Sequence, residues 1–293
     1  MKLPFFDYAA PTSLQDATVL LAEHAGDARI IAGGQSLLPI MAFRLASPSL
    51  LVDIGKIPDL RKISVGPDGL HLGPLVRWSD IERSADIARN NPLLSEAVGH
   101  IAHYQVRNRG TVGGSMAHAD PSAELPCVAV TCGATLSLLG RSGMRVVRAD
   151  DFIVGELETD LRPDEIIVDI CFPTWPAERR WAFREFSRRR GDFALGGIAL
   201  YLDLDQNGVV TGCAVGMMGA SSRAMRLPEV EAMICGARPD VALIRAAAHA
   251  ARELADPPDD IHASRDYRKA LVGTLLERAL SAALKLPIGE EMR

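Results

Sequence analysis

Arg29-Ile-Ile-Ala-Gly-Gly-Gln-Ser-Leu-Leu-Pro39 hands a short apolar run to a glycine pair and then to a serine that can cap a helix. Residues 29–32 read as a buried strand ending at Gly33-Gly34. Ser36 is expected to cap a helix through Leu37, Met41 and Leu45, with Pro39 tolerated in its first turn. The run Leu50-Leu-Val-Asp-Ile54 is the next strand, so the order strand, glycine turn, helix, strand implies a small parallel β-α-β unit. Glycines at such a handover let backbone N–H groups approach phosphate oxygens, and the start of the helix adds partial positive charge. An ordinary tight turn is the competing reading.

Upstream, Ser13 and Asp16 form a capping pair for a helix that keeps its apolar spacing until Gly26. Downstream, 70–75 alternates as a strand, and Ser79 is expected to cap a helix through Ile81 and Ile87. A further helix is predicted over 93–104, with His100 and His103 on one face, and another over 121–132. Strands are predicted at 134–139, 145–148 and 166–172. The proline-flanked stretch Pro173-Thr-Trp-Pro-Ala177 marks a boundary, giving domains 1–174 and 175–293. In the second domain, alternating runs at 181–187, 199–205 and 209–217, the last two joined by Asn207-Gly208, predict antiparallel strands with a hairpin. Helices at 228–235, 240–254 and 267–284 are expected to cover that sheet.

Composition narrows the function. Hydrophobic residues at 48% and charged residues at 24% of 293 describe an ordinary globular chain of about two domains. Thirty-two Lys and Arg against thirty-seven Asp and Glu leave no general footprint for nucleic acid or anionic lipid. No apolar stretch reaches the ~18 residues of a membrane span. The start, Met-Lys-Leu-Pro-Phe-Phe-Asp-Tyr8, lacks the pattern of a signal peptide, so a cytoplasmic location is expected. Five cysteines include no C-x-x-C pair, and Cys127 and Cys132 lack the third cysteine of a plant-type iron–sulfur loop. They read as buried thiols. There is no H-E-x-x-H and no Ser-His-Asp candidate, so neither a metal site nor a catalytic acid, base or nucleophile is assigned.

A second glycine pair lies in Gln105-Val-Arg-Asn-Arg-Gly-Thr-Val-Gly-Gly-Ser115, followed by Ala119-Asp-Pro-Ser-Ala-Glu-Leu-Pro126. The Thr111 hydroxyl, the amides of Gly113 and Gly114, and Ser115 are expected to hold a second part of one diphosphate. Asp120 or Glu124 can accept from sugar or ribityl hydroxyls, although Asp120-Pro121-Ser122 also reads as a helix start. Neither pair matches G-x-G-x-x-G or a P-loop, and two separate clamps point to an extended nucleotide. The basic run Arg179, Arg180, Arg184, Arg188, Arg189 and Arg190 is either a solvated strand edge or a contact with cofactor or partner. Trp175 and Trp181 read as packing.

Together with Gly191-Asp-Phe-Ala194 and Ser264-Arg-Asp-Tyr-Arg268, these motifs resemble the FAD-binding medium subunit of molybdenum hydroxylases, of the carbon monoxide dehydrogenase type within the xanthine dehydrogenase family. The resemblance implies an α+β chain: a vanillyl-alcohol-oxidase (PCMH)-type FAD-binding domain of two α/β subdomains, then a C-terminal domain of antiparallel sheet plus helices. It places FAD against Ala32, Gly33, Gly34, Gln35, Ser36 and Leu37 and against Thr111, Gly113, Gly114 and Ser115. Ile101 would line the flavin pocket, with Asp120 and Glu124 in its acidic segment. Phe193 stands where carbon monoxide dehydrogenase carries a tyrosine beside the isoalloxazine, and Gln35 where histidine is also found. The implied partners are a large molybdopterin subunit and a small [2Fe–2S] subunit, as a dimer of heterotrimers. FAD then relays electrons from the partner's clusters, which this chain lacks the cysteines to hold, to an external acceptor. The alternatives are a self-sufficient FAD-dependent oxidoreductase acting on a small molecule or NAD(P)H, and a flavin-free scaffold.

Overall fold

Leu50–Asp53, the apolar run that follows the first glycine loop, is the central strand of a three-stranded parallel sheet. It pairs with Ala28–Ile31 on one side, as expected, and with Asp7–Ala9 on the other. Three residues are too few to show alternation, so Asp7–Ala9 becomes a strand only through its partner. The computed structural model describes residues 2–24 and 26–286; residues 1, 25 and 287–293 of the two expected domains lie outside the described residues. Helix Leu14–Glu23 carries the expected cap, Ser13 Oγ accepting from the Asp16 amide at 3.1 Å.

A second sheet of five antiparallel strands runs in the order Ile63–Val65, Gly69–Leu72, Ile166–Pro173, Thr135–Gly140, Gly143–Arg148. Several expected helices take different bounds here. The helix expected from Ser79 through Ile87 is two, Trp78–Glu82 and Ala85–Asn90, because Ser84 caps the second. The helix expected over 93–104 is Pro92–Val98, capped by Asn91, so His100 and His103 share no helix face. Its continuation is broken by a turn with Ala102 at φ +41°. Arg107 holds that turn, its Nη1 donating to the carbonyls of Ile101 and Ala102, both at 2.9 Å. The helix expected from 121 begins at Glu124, and an unexpected one, Val112–His118, precedes it.

The second domain forms four antiparallel strands, Arg180–Phe186, Gly196–Leu204, Val210–Met218 and Met225–Arg226. Gly208 at φ +78° turns the expected hairpin, and Asp205 Oδ1 accepts from the amides of Asn207 and Val209. Helices Pro228–Ile234, Val241–Leu254 and Arg265–Leu284 cover the sheet, burying Leu200, Leu202, Val215, Ala247, Val272 and Leu276. The domains share a core. Helix Glu124–Cys132, buried over nearly its whole length, packs against Val210–Met218, where a Cβ on Gly216 would overlap Thr131 Oγ1. No helix among the described residues is long and apolar enough to cross a membrane.

Two arginines of the basic run are structural. Arg179 makes a bidentate pair with Asp203, 2.9 and 2.7 Å, and stacks 3.9 Å from the Tyr201 ring centroid and 5.1 Å from that of Trp175. Arg180 donates to the Leu284 carbonyl. Arg268, from the Ser264–Arg268 motif, is buried and donates to the carbonyls of Leu195 and Gly219 and to Asp260. It fastens the last helix to the loops at the sheet end. Arg268→Met leaves these acceptors unmatched and is expected to lower stability by about 3 kcal/mol in a denaturant titration.

Candidate functional site

The two glycine loops, 32–36 and 109–115, meet at a backbone contact. A Cβ on Gly33 would overlap the Arg109 carbonyl oxygen and lie 2.9 Å from its carbon and 3.0 Å from the Gly110 Cα. Only a residue without a side chain permits that approach. Gly34 sits at φ +71°, the left-handed region that turns the chain out of its strand. Ser36 makes no capping bond, contrary to expectation, and the following helix is only Leu37–Ala42, stopping short of Leu45. Ala32, Gly33, Gly34, Gln35 and Leu37 are half-buried and Ser36 is exposed.

Hydrogen-bond accounting separates the loops. Among the described residues, the amides of Gly33, Gly34, Gln35 and Ser36 donate to no group of the chain. In the second loop the amides are spent. Val112 N donates to Val76 O, Gly113 N to Pro74 O at 2.9 Å, Gly114 N to Thr111 Oγ1 at 3.2 Å, and Ser115 N to Thr111 O. The expectation that Gly113 and Gly114 amides hold a diphosphate is therefore corrected: Thr111 is a helix cap, and the donors it and Ser115 leave free are their hydroxyls. Gly113 is needed for another reason, since a Cβ there would overlap Pro74.

Between the loops lies a cleft of about 40 Å³, lined by Ala32, Gly33, Gly55, Arg61, Leu75, Arg77, Arg109 and Thr111. It is small, polar and open to solvent. A larger cavity of about 100 Å³ lies elsewhere, beside Gly143 and Arg145, where Arg145 is paired with Asp160 and Glu165 and leaves no charge free. The polar cleft is the better candidate because its cations are uncompensated.

The segment before the second loop ties this cleft to a second cluster. Arg107 fixes the turn carrying Ile101, which is 8% exposed. Across the domain seam, Gly191 at φ +88° brings its loop against that turn, and a Cβ there would meet the His103 ring at 2.6 Å and Ala102 O at 2.9 Å. Ile101 and the loop of Phe193, whose ring is 72% exposed, thus come to one side of the molecule. Asp120 Oδ1 is engaged by the Ser122 amide at 2.8 Å.

Two buried carboxyls accompany this cluster. Burial, with a smaller contribution from Asp120, pushes Glu124 up to about 7. Burial and the Glu124 charge push Glu185 up to about 8. The Glu185 side chain is 3% exposed, its Oε2 has no hydrogen-bond partner, and His100 Nδ1 lies 3.8 Å away. Burial and the charges of Arg190 and Arg184 keep the His100 ring below its ordinary value, against the pull of Glu96. Sequence reasoning missed Glu185, Arg61 and Arg77. Glu185 occupies an inward position in an alternating strand, a visible signal, whereas nothing local marks the two arginines. Cys127 is a buried thiol, as read, and Cys132 is half-buried, both pushed up to about 12 by desolvation, whereas Cys171 is half-buried and Cys235 exposed, against the reading of all five as buried.

The residues present suit a flavin dinucleotide: a loop of free amides for phosphate, hydroxyls on the facing loop, and an unpartnered buried carboxyl near an apolar turn. A family model described as FAD binding domain in molybdopterin dehydrogenase matches residues 4–175, and one described as CO dehydrogenase flavoprotein C-terminal domain matches 181–283. The 6-hydroxypseudooxynicotine dehydrogenase complex subunit alpha of Paenarthrobacter nicotinovorans is 41% identical, covering 97% of this chain and 96% of that one. Carbon monoxide dehydrogenase of Hydrogenophaga pseudoflava superposes with a TM-score of 0.95 at 36% identity, covering 98% of this chain and 100% of that one. Quinoline 2-oxidoreductase of Pseudomonas putida 86 gives 0.92 at 40% identity, over 98% and 99%. The architecture is the expected α+β one.

Two outcomes are expected from this geometry. Gly33→Ala drives a methyl into the Arg109 carbonyl, costing about 1–3 kcal/mol and parting the loops, whereas Gly114→Ala, whose Cβ lies 2.9 Å from the single atom Thr111 Oγ1, costs less because only that cap has to give way. Thermal melts of the two variants check this. In addition, the folded chain holds protons on Glu124 and Glu185 that the unfolded chain releases above the usual carboxylate range, so their contribution falls as pH rises towards about 7 and about 8. Glu185→Gln is expected to flatten the loss of melting temperature between about pH 5 and about pH 8, relative to the parent chain.

Proposed function

Because the chain belongs to the family of FAD-binding medium subunits of molybdenum hydroxylases of the carbon monoxide dehydrogenase type, an oxidoreductase flavoprotein family, we propose that it is the electron-relay subunit of such a complex. The free amides of Gly33, Gly34, Gln35 and Ser36, next to a cleft that Gly33 shares with Thr111 and three arginines, carry this reading. In it they donate to phosphate oxygens of FAD, with Ala32 and Leu37 flanking them and the hydroxyls of Thr111 and Ser115 donating from the facing side. Gly113 and Gly114 shape that side without offering amides.

Ile101 supplies an apolar wall for the flavin, and the Phe193 ring packs where a tyrosine stands in carbon monoxide dehydrogenase, without its hydroxyl. Glu124 and Glu185 hold protons beside this wall near neutrality, presenting O–H donors where ionised carboxylates would only accept. Asp120 shapes the acidic segment through its bond to Ser122. When held by these residues, FAD would supply the exchange between one-electron and two-electron carriers that a chain between clusters and an external acceptor needs. No group of this chain is assigned a catalytic role, and no metal ligand. The molybdopterin cofactor and the [2Fe–2S] clusters belong to a large and a small partner subunit, in a dimer of heterotrimers within the cytoplasm. Domain bounds of 1–174 and 175–293 fit this division of labour, the first holding the cofactor and the second closing over it.

Affinity purification of the tagged chain from its native host is expected to bring down a molybdopterin-binding and an iron–sulfur subunit together with visible flavin absorbance. Recovery as a lone protein that oxidises NAD(P)H or a small molecule at full rate would instead establish the self-sufficient oxidoreductase.

A further inference from the structure

Arg61, Arg77 and Arg109 reach the cleft between the glycine loops from three separate segments. Among the described residues, none of their guanidinium groups makes a hydrogen bond within the chain or has a carboxylate within 4.0 Å, the reach of the ion pairs seen elsewhere. Arg61 and Arg109 are exposed and Arg77 is half-buried. Arg145, Arg179, Arg226 and Arg268 each hold a carboxylate at 2.5 to 2.7 Å. Asp53, the acid nearest in sequence to the lining residue Gly55, is engaged by the Gly55 amide and the Tyr8 hydroxyl. The remaining lining residues, Ala32, Gly33, Gly55, Leu75 and Thr111, bring no negative charge.

Three like charges gathered on one small cleft repel each other. An anion in the cleft turns that repulsion into attraction. The adjoining free amides of Gly33 to Ser36 narrow the choice, because they add several directed donors to the planar guanidinium forks. Three guanidinium groups on one small cleft, with the Gly33 amide on its wall, match the several acceptor oxygens of a phosphate better than the two of a carboxylate. We propose that Arg61, Arg77 and Arg109 form a cationic seat for a phosphate of the dinucleotide held by the glycine loops. This rests on the reading of those loops as the FAD site, and it adds the charge neutralisation that backbone amides alone supply only in part.

The test is FAD affinity of the full-length chain, measured by flavin fluorescence at low and high salt, in the parent, in each Arg→Gln variant, and in triple Gln and triple Lys variants. Each Gln substitution is expected to weaken FAD binding about tenfold at low salt. The triple Gln variant should lose most of the parent's salt dependence, and inorganic pyrophosphate should compete with FAD in the parent far better than in that variant. The triple Lys variant should keep the salt dependence while recovering only part of the affinity. Melting temperatures within a few degrees of the parent would show that the fold is retained. If the triple Gln variant keeps the parent's FAD affinity and salt dependence, the seat is refuted while the flavoprotein reading stands. If the substitutions weaken NAD(P)H binding but leave FAD unaffected, the cleft serves another phosphate and the proposal falls. A parent chain that binds no FAD would overturn the underlying reading as well.

Discussion

The contact of Gly33 with the Arg109 carbonyl organises the site, and it belongs to a series of close backbone approaches. Side-chain-free positions at Gly33, Gly73, Gly110 and Gly113 let four chain segments lie against one another: a Cβ on Gly73 would meet Leu60, and one on Gly110 would lie 2.6 Å from Trp78 Nε1. This packing also decides which amides are free. Residues 74–78 run beside 110–113, Val76 and Pro74 accepting from the Val112 and Gly113 amides while Trp78 N donates to Gly110 O, so those amides of the second loop are spent. The first loop, leaving its strand through Gly34, has no such neighbour. One loop becomes the wall and the other the grip, although in sequence the two glycine pairs look alike.

Charge is distributed with the same economy. Most buried or half-buried arginines have a defined acceptor, as Arg268 does at the sheet end and Arg179 does between two aromatic rings. The cleft between the loops gathers three cations, of which Arg77 alone is half-buried, and near His100 the buried Glu185 keeps an unpartnered oxygen. Buried polar groups without partners are costly, and they persist where a ligand completes them. The segment 101–111 joins the two, running from the turn that Arg107 holds to Arg109 at the cleft.

Element identity was largely legible where apolar periodicity was sustained. The strands at Leu50–Asp53 and Ile166–Pro173, the hairpin at Asn207-Gly208 and the long helices Val241–Leu254 and Arg265–Leu284 were read close to their observed bounds. Short elements were not. Asp7–Ala9 is a strand only by pairing, Val112–His118 hides in a glycine-rich motif, and the break after Val98 depends on a guanidinium arriving from Arg107. Ser36 has the residue type of a cap yet makes no cap bond, because its backbone is already helical.

The residue types at 32–37, 105–115, 119–126 and 191–194 were enough to indicate the family and to mark both loops, since glycine, serine and proline at those spacings constrain the backbone locally. Which donors remain available could not be seen there. That depends on what each amide finds across space: Pro74 and Val76 for the second loop, nothing for the first. Arg61 and Arg77 carry no local signal either, because a charge becomes uncompensated only relative to neighbours that folding brings, or fails to bring, within reach.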